Sequence, residues 1–146
     1  MPVPDNNDHT DQADGLRRMR QARPVKVITV TGGKGGVGKT NICANLAVAL
    51  SMLGRRVMLL DGDLGLANVD VLFGLQPHYT MADVVRGERS LAEVIVHGPA
   101  GVMVVPGASG LSEMANLTSL QNAGIVNAFS ELTCDLDVLM VDTPAG

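Results

Sequence analysis

Aromatic side chains are nearly missing from this chain: its 146 residues include two Phe, one Tyr and no Trp. Phe73, Tyr79 and Phe129 offer little surface for stacking on bases, and a formal net charge of −4 gives a phosphate backbone no cationic counterface. Direct binding to nucleic acid is therefore not expected. Cysteine is equally scarce. Cys43 and Cys134 lie far apart without a Cys-x-x-Cys pair, which argues against a disulfide framework or a zinc site and fits a reducing cytoplasm. No run approaches the ~20 apolar residues that span a bilayer, and Asp5 and Asp8 stand where a secretory signal would be basic and then apolar.

Apolar residues make up 46% of the chain, enough for the core of one domain. Residues 1–23 read as a flexible N-terminal arm. It is polar at first, and then Ala13, Leu16 and Met19 or Arg20 recur as on one side of a short helix that Pro24 ends. Residues 24–146 read as the domain itself. Val25 to Val30 is rich in β-branched residues and bounded by Pro24 and Gly32-Gly33, as a buried strand would be. From Lys39, the residues Ile42, Leu46, Ala49, Leu50 and Leu53 recur at helical spacing, with Gly54 as a stop. Val57 to Leu60 forms a second apolar strand, so strand, helix and strand make one βαβ unit. Short helices are expected at Met81 to Arg86 and Leu91 to Val96, a strand at Val102 to Val105, a longer helix at Leu117 to Leu132, and a central strand at Val138 to Val141. The alternation predicts an α/β fold: an open, doubly wound, mainly parallel sheet that binds ligands at the carboxyl ends of its strands. The last residues stop just past an apolar strand, so the domain is expected to be truncated at its C-terminal side.

The segment Gly33-Lys34-Gly35-Gly36-Val37-Gly38-Lys39-Thr40 satisfies G-x-x-x-x-G-K-[ST] between a predicted strand and a predicted helix. Glycines there let successive backbone N–H groups turn inward around an anion, and the helix N-terminus adds partial positive charge along the same axis. Lys39 is placed to reach the β- and γ-phosphates of ATP, and the Thr40 hydroxyl to bind Mg²⁺; Asn41 continues the binding segment. Of three lysines in the chain, Lys26, Lys34 and Lys39, two lie in this one loop. Asp61 and Asp63 follow the second strand two residues apart, so in extended geometry both side chains leave the strand end on one side. One can support the Mg²⁺ shell and the other can orient the attacking water. Asp142, after Val138-Leu139-Met140-Val141, is the candidate Walker B carboxylate, reaching Mg²⁺ through water.

On these residues the sequence resembles the MinD/ParA family of P-loop NTPases of the SIMIBI type. Its mark is a lysine early in the loop, the position Lys34 holds. The resemblance implies a Mg²⁺-dependent ATPase that forms a homodimer on ATP binding, with Lys34 reaching the partner subunit's nucleotide and joining Lys39 and Asp63 in catalysis. Asp61 to Asp70 is similar to the family's switch I and Asp142 to Gly146 to its switch II, which implies that Asp63 orients water and Asp61 supports the metal. Asn68 then either contacts the dimer partner or caps a turn.

Within the family, Leu64 to Leu72 and the N-terminal Asp11-Gln12-Ala13-x-x-Leu16-Arg17 resemble the FlhG (FleN) branch, which regulates flagellar number and placement. That likeness implies that Gln12, Leu16 and Arg17 engage the SRP-type GTPase FlhF and stimulate its hydrolysis. It also implies a flagellar transcriptional regulator as a further partner. Membrane contact at the inner face of the plasma membrane would come only through a C-terminal helix outside this sequence. Sister branches in division-site selection or chromosome partition share the phosphate site. Iron–sulfur carriers share the loop too, but neither Cys43 nor Cys134 suggests a cluster ligand at a dimer interface.

Overall fold

In the computed structural model, residues 24–63, 68–108, 117–132 and 135–144 are described. The arm at 1–23, with Gln12, Leu16 and Arg17, lies outside the described residues, as does Cys134. The chain begins with β1 (Lys26–Val30), crosses through α1 (Lys39–Met52) and returns as β2 (Val57–Asp61). The short helices α2 (Val69–Leu72), α3 (Met81–Val85) and α4 (Leu91–Val94) follow. After them come β3 (Val96–His97), a single 3₁₀ turn at Pro99–Gly101, β4 (Met103–Val105), α5 (Ser119–Ser130) and β5 (Val138–Asp142).

The five strands lie in the order β1-β5-β2-β4-β3. All pairs are parallel except β3 with β4. This is the expected doubly wound sheet, with one difference at its edge. The helix expected over Leu91 to Val96 stops at Val94, and Val96 pairs with Val104 instead. The chain then turns back at once: the Gly98 N–H bonds the Val102 carbonyl at 2.7 Å. A reversal this tight leaves no room for another helical turn.

Two apolar layers hold the sheet. On one face Cys43, Ala44 and Ala47 of α1 meet Val57, Leu59, Val104, Val138 and Met140. On the other, Met81, Ala82, Leu91 and Val94 pack with Met58 and Val105, with Ile125, Ala128 and Phe129 of α5 alongside. Each large aliphatic side chain buried here contributes about 1.5–3 kcal/mol.

Helix α1 forms where its spacing predicts, but the face carrying Ile42 and Leu53 points outward, 60% and 78% exposed. Cysteine and alanines take the inward face, and their small side chains let the helix backbone approach the sheet closely. Gly54, with φ +81, ends this helix as expected. Capping boxes start three others, with Thr80 and Asp83, Ser90 and Glu93, and Thr118 and Gln121 as the reciprocal pairs.

Val30, Asp142 and Asp61 stand level across β1, β5 and β2, so three connections leave the sheet side by side. Gly62 is essential to this junction. Its N–H donates to the Asp142 carbonyl at 2.7 Å, and a Cβ on it would lie 2.6 Å from that same oxygen. Replacing Gly62 by Ala should therefore cost about 1–3 kcal/mol of stability. Gly33→Ala, where a Cβ meets nothing within 4 Å, should change stability by under about 1 kcal/mol. Urea unfolding midpoints of the two variants check this contrast.

Candidate nucleotide site

The loop from Thr31 to Gly38 runs from the end of β1 into α1, and its conformation follows from its glycines. Gly36 and Gly38 hold φ of +73 and +89, the left-handed region that side chains with a Cβ rarely adopt. Gly38 is the N-cap of α1, yet no side chain closes that helix end. The capping boxes of α3, α4 and α5 give their first N–H groups a protein acceptor. The first turn of α1 keeps its donors for something else, and an anion at the helix N-terminus satisfies both those donors and the helix dipole.

Groups from the ends of β5 and β1 meet at this loop. The Thr40 hydroxyl donates to Asp142 Oδ2 at 2.6 Å, although 102 residues separate the two in the chain. Asp142 is 1% exposed, and its Oδ1 is buried with no hydrogen-bond donor. Lys39 folds back along the loop, its Nζ 3.4 Å from the Gly32 carbonyl. Thr143 fastens the far side, donating to the Val30 carbonyl from both its hydroxyl at 2.7 Å and its N–H at 3.3 Å. Lys34, Gly35, Val37 and Asn41 lie exposed on the loop and the first helical turn. The structure thus brings Thr40 and Asp142 into direct contact, with Lys39 folded along the same loop.

Asp61 is placed less simply. It is 1% exposed and stands beside Asp142. Its Oδ2 accepts the N–H groups of Asn68 at 2.9 Å and Val69 at 3.1 Å, and its Oδ1 accepts the N–H of Asp63 at 3.2 Å. Burial pushes its carboxyl up to about 6, against the lowering effect of these three donors, and the neighbouring Asp142 charge adds to the rise. The same carboxylates and, above all, burial push the Cys43 thiol up to about 12, so it stays protonated as a core residue. Asn68 does not cap the turn: it stands at the N-cap of α2 without a side-chain bond, and Asp61 does that work from a distance. Sequence reasoning missed this tie, and missed Thr143.

The donor set fits Mg²⁺. Among the described residues no cluster of three or more His, Cys, Asp or Glu could hold a metal alone. Thr40 Oγ1 and the orphaned Asp142 Oδ1 do supply hard oxygens, which suits an ion that takes its other ligands from phosphate and water. A separate cavity of about 530 Å³, lined by Leu91, His97, Met103, Gly124 and Leu132 among others, opens between α4 and α5. None of the loop or carboxylate residues lines it.

Comparison with known proteins agrees with this geometry. The family described as CobQ/CobB/MinD/ParA nucleotide binding domain matches residues 28–141. The chain is 59% identical over 131 residues to the antiactivator FleN of Pseudomonas aeruginosa, covering 90% of this chain and 47% of that protein. It is 34% identical over 147 residues to the flagellum site-determining protein YlxH of Helicobacter pylori, covering 96% and 50%. Among solved structures, the septum site-determining protein MinD of Pyrococcus horikoshii complexed with Mg-ADP superposes with a TM-score of 0.70 at 32% identity, over 84% of this chain and 50% of that one. The chain spans about half the length of the curated relatives it matches. It belongs to the MinD/ParA family of nucleotide-binding domains, and within it is FleN/FlhG-like.

Proposed function

We propose that the full-length protein is an ATP-driven dimerisation switch that regulates flagellar number and placement. The observation that carries this is the uncapped glycine loop beside the Thr40–Asp142 pair, in which the buried carboxylate keeps one oxygen unspent. Backbone N–H groups from Gly33 to Asn41 cradle the triphosphate, and Lys39 neutralises its β- and γ-oxygens. Thr40 and Asp142 are the residues that would hold Mg²⁺, which when bound supplies positive charge against the phosphate oxygens. Asp63 orients the attacking water. Lys34, exposed on the loop, serves the partner subunit's nucleotide, so the homodimer forms around ATP and hydrolysis releases it.

The flagellar assignment draws support from the names of the relatives, one an antiactivator and one a flagellum site-determining protein. An antiactivator acts against an activator, which makes a flagellar transcriptional regulator a proposed partner. Gln12, Leu16 and Arg17 are proposed to stimulate the GTPase FlhF. No helix among the described residues is long and apolar enough to cross a membrane. The working location is proposed to be the cytoplasm, with peripheral contact at the inner membrane face through a segment outside this sequence.

In the full-length protein, Lys39→Ala should weaken ATP binding by roughly 10–100-fold, the loss of a charge-assisted phosphate contact. Lys34→Ala should bind ATP as a monomer but no longer dimerise. Titration calorimetry and light scattering with a non-hydrolysable ATP analogue read these two effects, and a wild-type protein that stays monomeric would count against the switch. Deleting residues 1–23 should remove stimulation of FlhF GTP hydrolysis and leave ATP binding intact. An unchanged FlhF rate would favour the division-site or partition branch.

A further inference from the structure

We propose that Asp61 is a positioning residue rather than a metal ligand: its carboxylate gathers the backbone N–H groups of Asp63, Asn68 and Val69, and so sets where Asp63 stands relative to the phosphate loop. This rests on the proposed water-orienting role of Asp63.

Three observations support the assignment. First, both oxygens of Asp61 are committed. Oδ1 holds the N–H of Asp63, and Oδ2 holds those of Asn68 and Val69. The carboxylate is 1% exposed, so these donors stand in for the water it has lost. Asp142, level with it on the next strand, is the carboxylate that keeps a buried oxygen without a donor. Of the two, Asp142 therefore faces the metal and Asp61 faces the chain.

Second, the bonds join two places that nothing local would hold together. Asp63 is two residues beyond Asp61, while Asn68 and Val69 are seven and eight beyond it. Helix α2, which starts at Val69, has four residues, too short to persist without tertiary support. Its support is the buried Val69 side chain on the sheet and the Asp61 carboxylate at its N-terminal end.

Third, Asp61 itself cannot drift. It is the last residue of β2, paired with Asp142. The next residue, Gly62, bonds the Asp142 carbonyl at 2.7 Å. Asp63 therefore leaves a fixed strand end with its N–H held by that same strand's terminal carboxylate.

The test uses the full-length protein. Asp61→Asn keeps the side chain's shape but turns one acceptor oxygen into an amide NH₂ donor facing a backbone N–H, whichever way the amide lies. We expect kcat to fall by about 10–100-fold, the scale of a misplaced reacting group, while the KM for ATP and the Mg²⁺ concentration giving half-maximal rate move by less than about threefold. The Asn68 and Val69 amides should exchange faster by NMR. A Mg²⁺ requirement raised about tenfold or more, with kcat recovered at saturating Mg²⁺, would make Asp61 a metal ligand and overturn the proposal. An unchanged kcat would also overturn it. Should Asp61→Asn fail to fold, wild-type amide exchange decides. Protection of Asn68 and Val69 that is retained when Mg²⁺ joins a non-hydrolysable ATP analogue supports the anchor, and protection lost at that step refutes it. A wild-type protein without ATPase activity would sink the proposed switch, and the amide pattern would still decide the anchor.

Discussion

The bond between Thr40 and Asp142 is the contact on which the rest of the site depends. It joins the first turn of α1 to the end of β5 across 102 residues of chain. Asp142 could not be so deeply buried without it, because an isolated carboxylate in an apolar sheet is costly to desolvate. The same bond leaves the second Asp142 oxygen buried and without a hydrogen-bond donor. A glycine-rich loop on one side and a buried, half-satisfied carboxylate on the other make up the place proposed to hold a cation and a polyanion.

The parallel sheet explains why these groups meet at all. Its strands β1, β5 and β2 run the same way and end level, so the residues leaving their carboxyl ends are neighbours regardless of sequence separation. Inserting β5 between β1 and β2 is what puts Asp142 beside both the loop and Asp61. The connections there are tied by short contacts rather than by bulk. Thr143 holds to Val30, and Gly62 holds to Asp142, where even a methyl group would collide.

Local patterns carried most of this in the sequence. The glycine spacing before Lys39-Thr40 and the apolar run before Asp142 each stand out through short-range chemistry, and the β-branched run marks β1 as a strand, although it lies at the sheet edge with Val27 62% exposed rather than buried. The central position of β5 followed from its unbroken apolar character. What was not legible depended on distance. The inward face of α1 is small and weakly hydrophobic, so periodicity marked the wrong side of a correctly placed helix. Strand β3 is two residues long, too short for alternation to register, and is made by the reversal at Gly98. The engagement of Asp61 with Asn68 and Val69 uses main-chain donors, which every residue but proline owns and no side-chain pattern reveals.

The buried Asp61 also links folding to acidity. Its carboxyl titrates near pH 6 in the folded chain, against an ordinary value of 3.8. Between those values the native state holds a proton that the unfolded chain has released. This group's contribution to stability is thus greatest below about pH 4 and is lost as pH rises through 6. At neutral pH the carboxyl end of the sheet carries a charge that burial disfavours, and three main-chain N–H donors are what the fold sets against that cost.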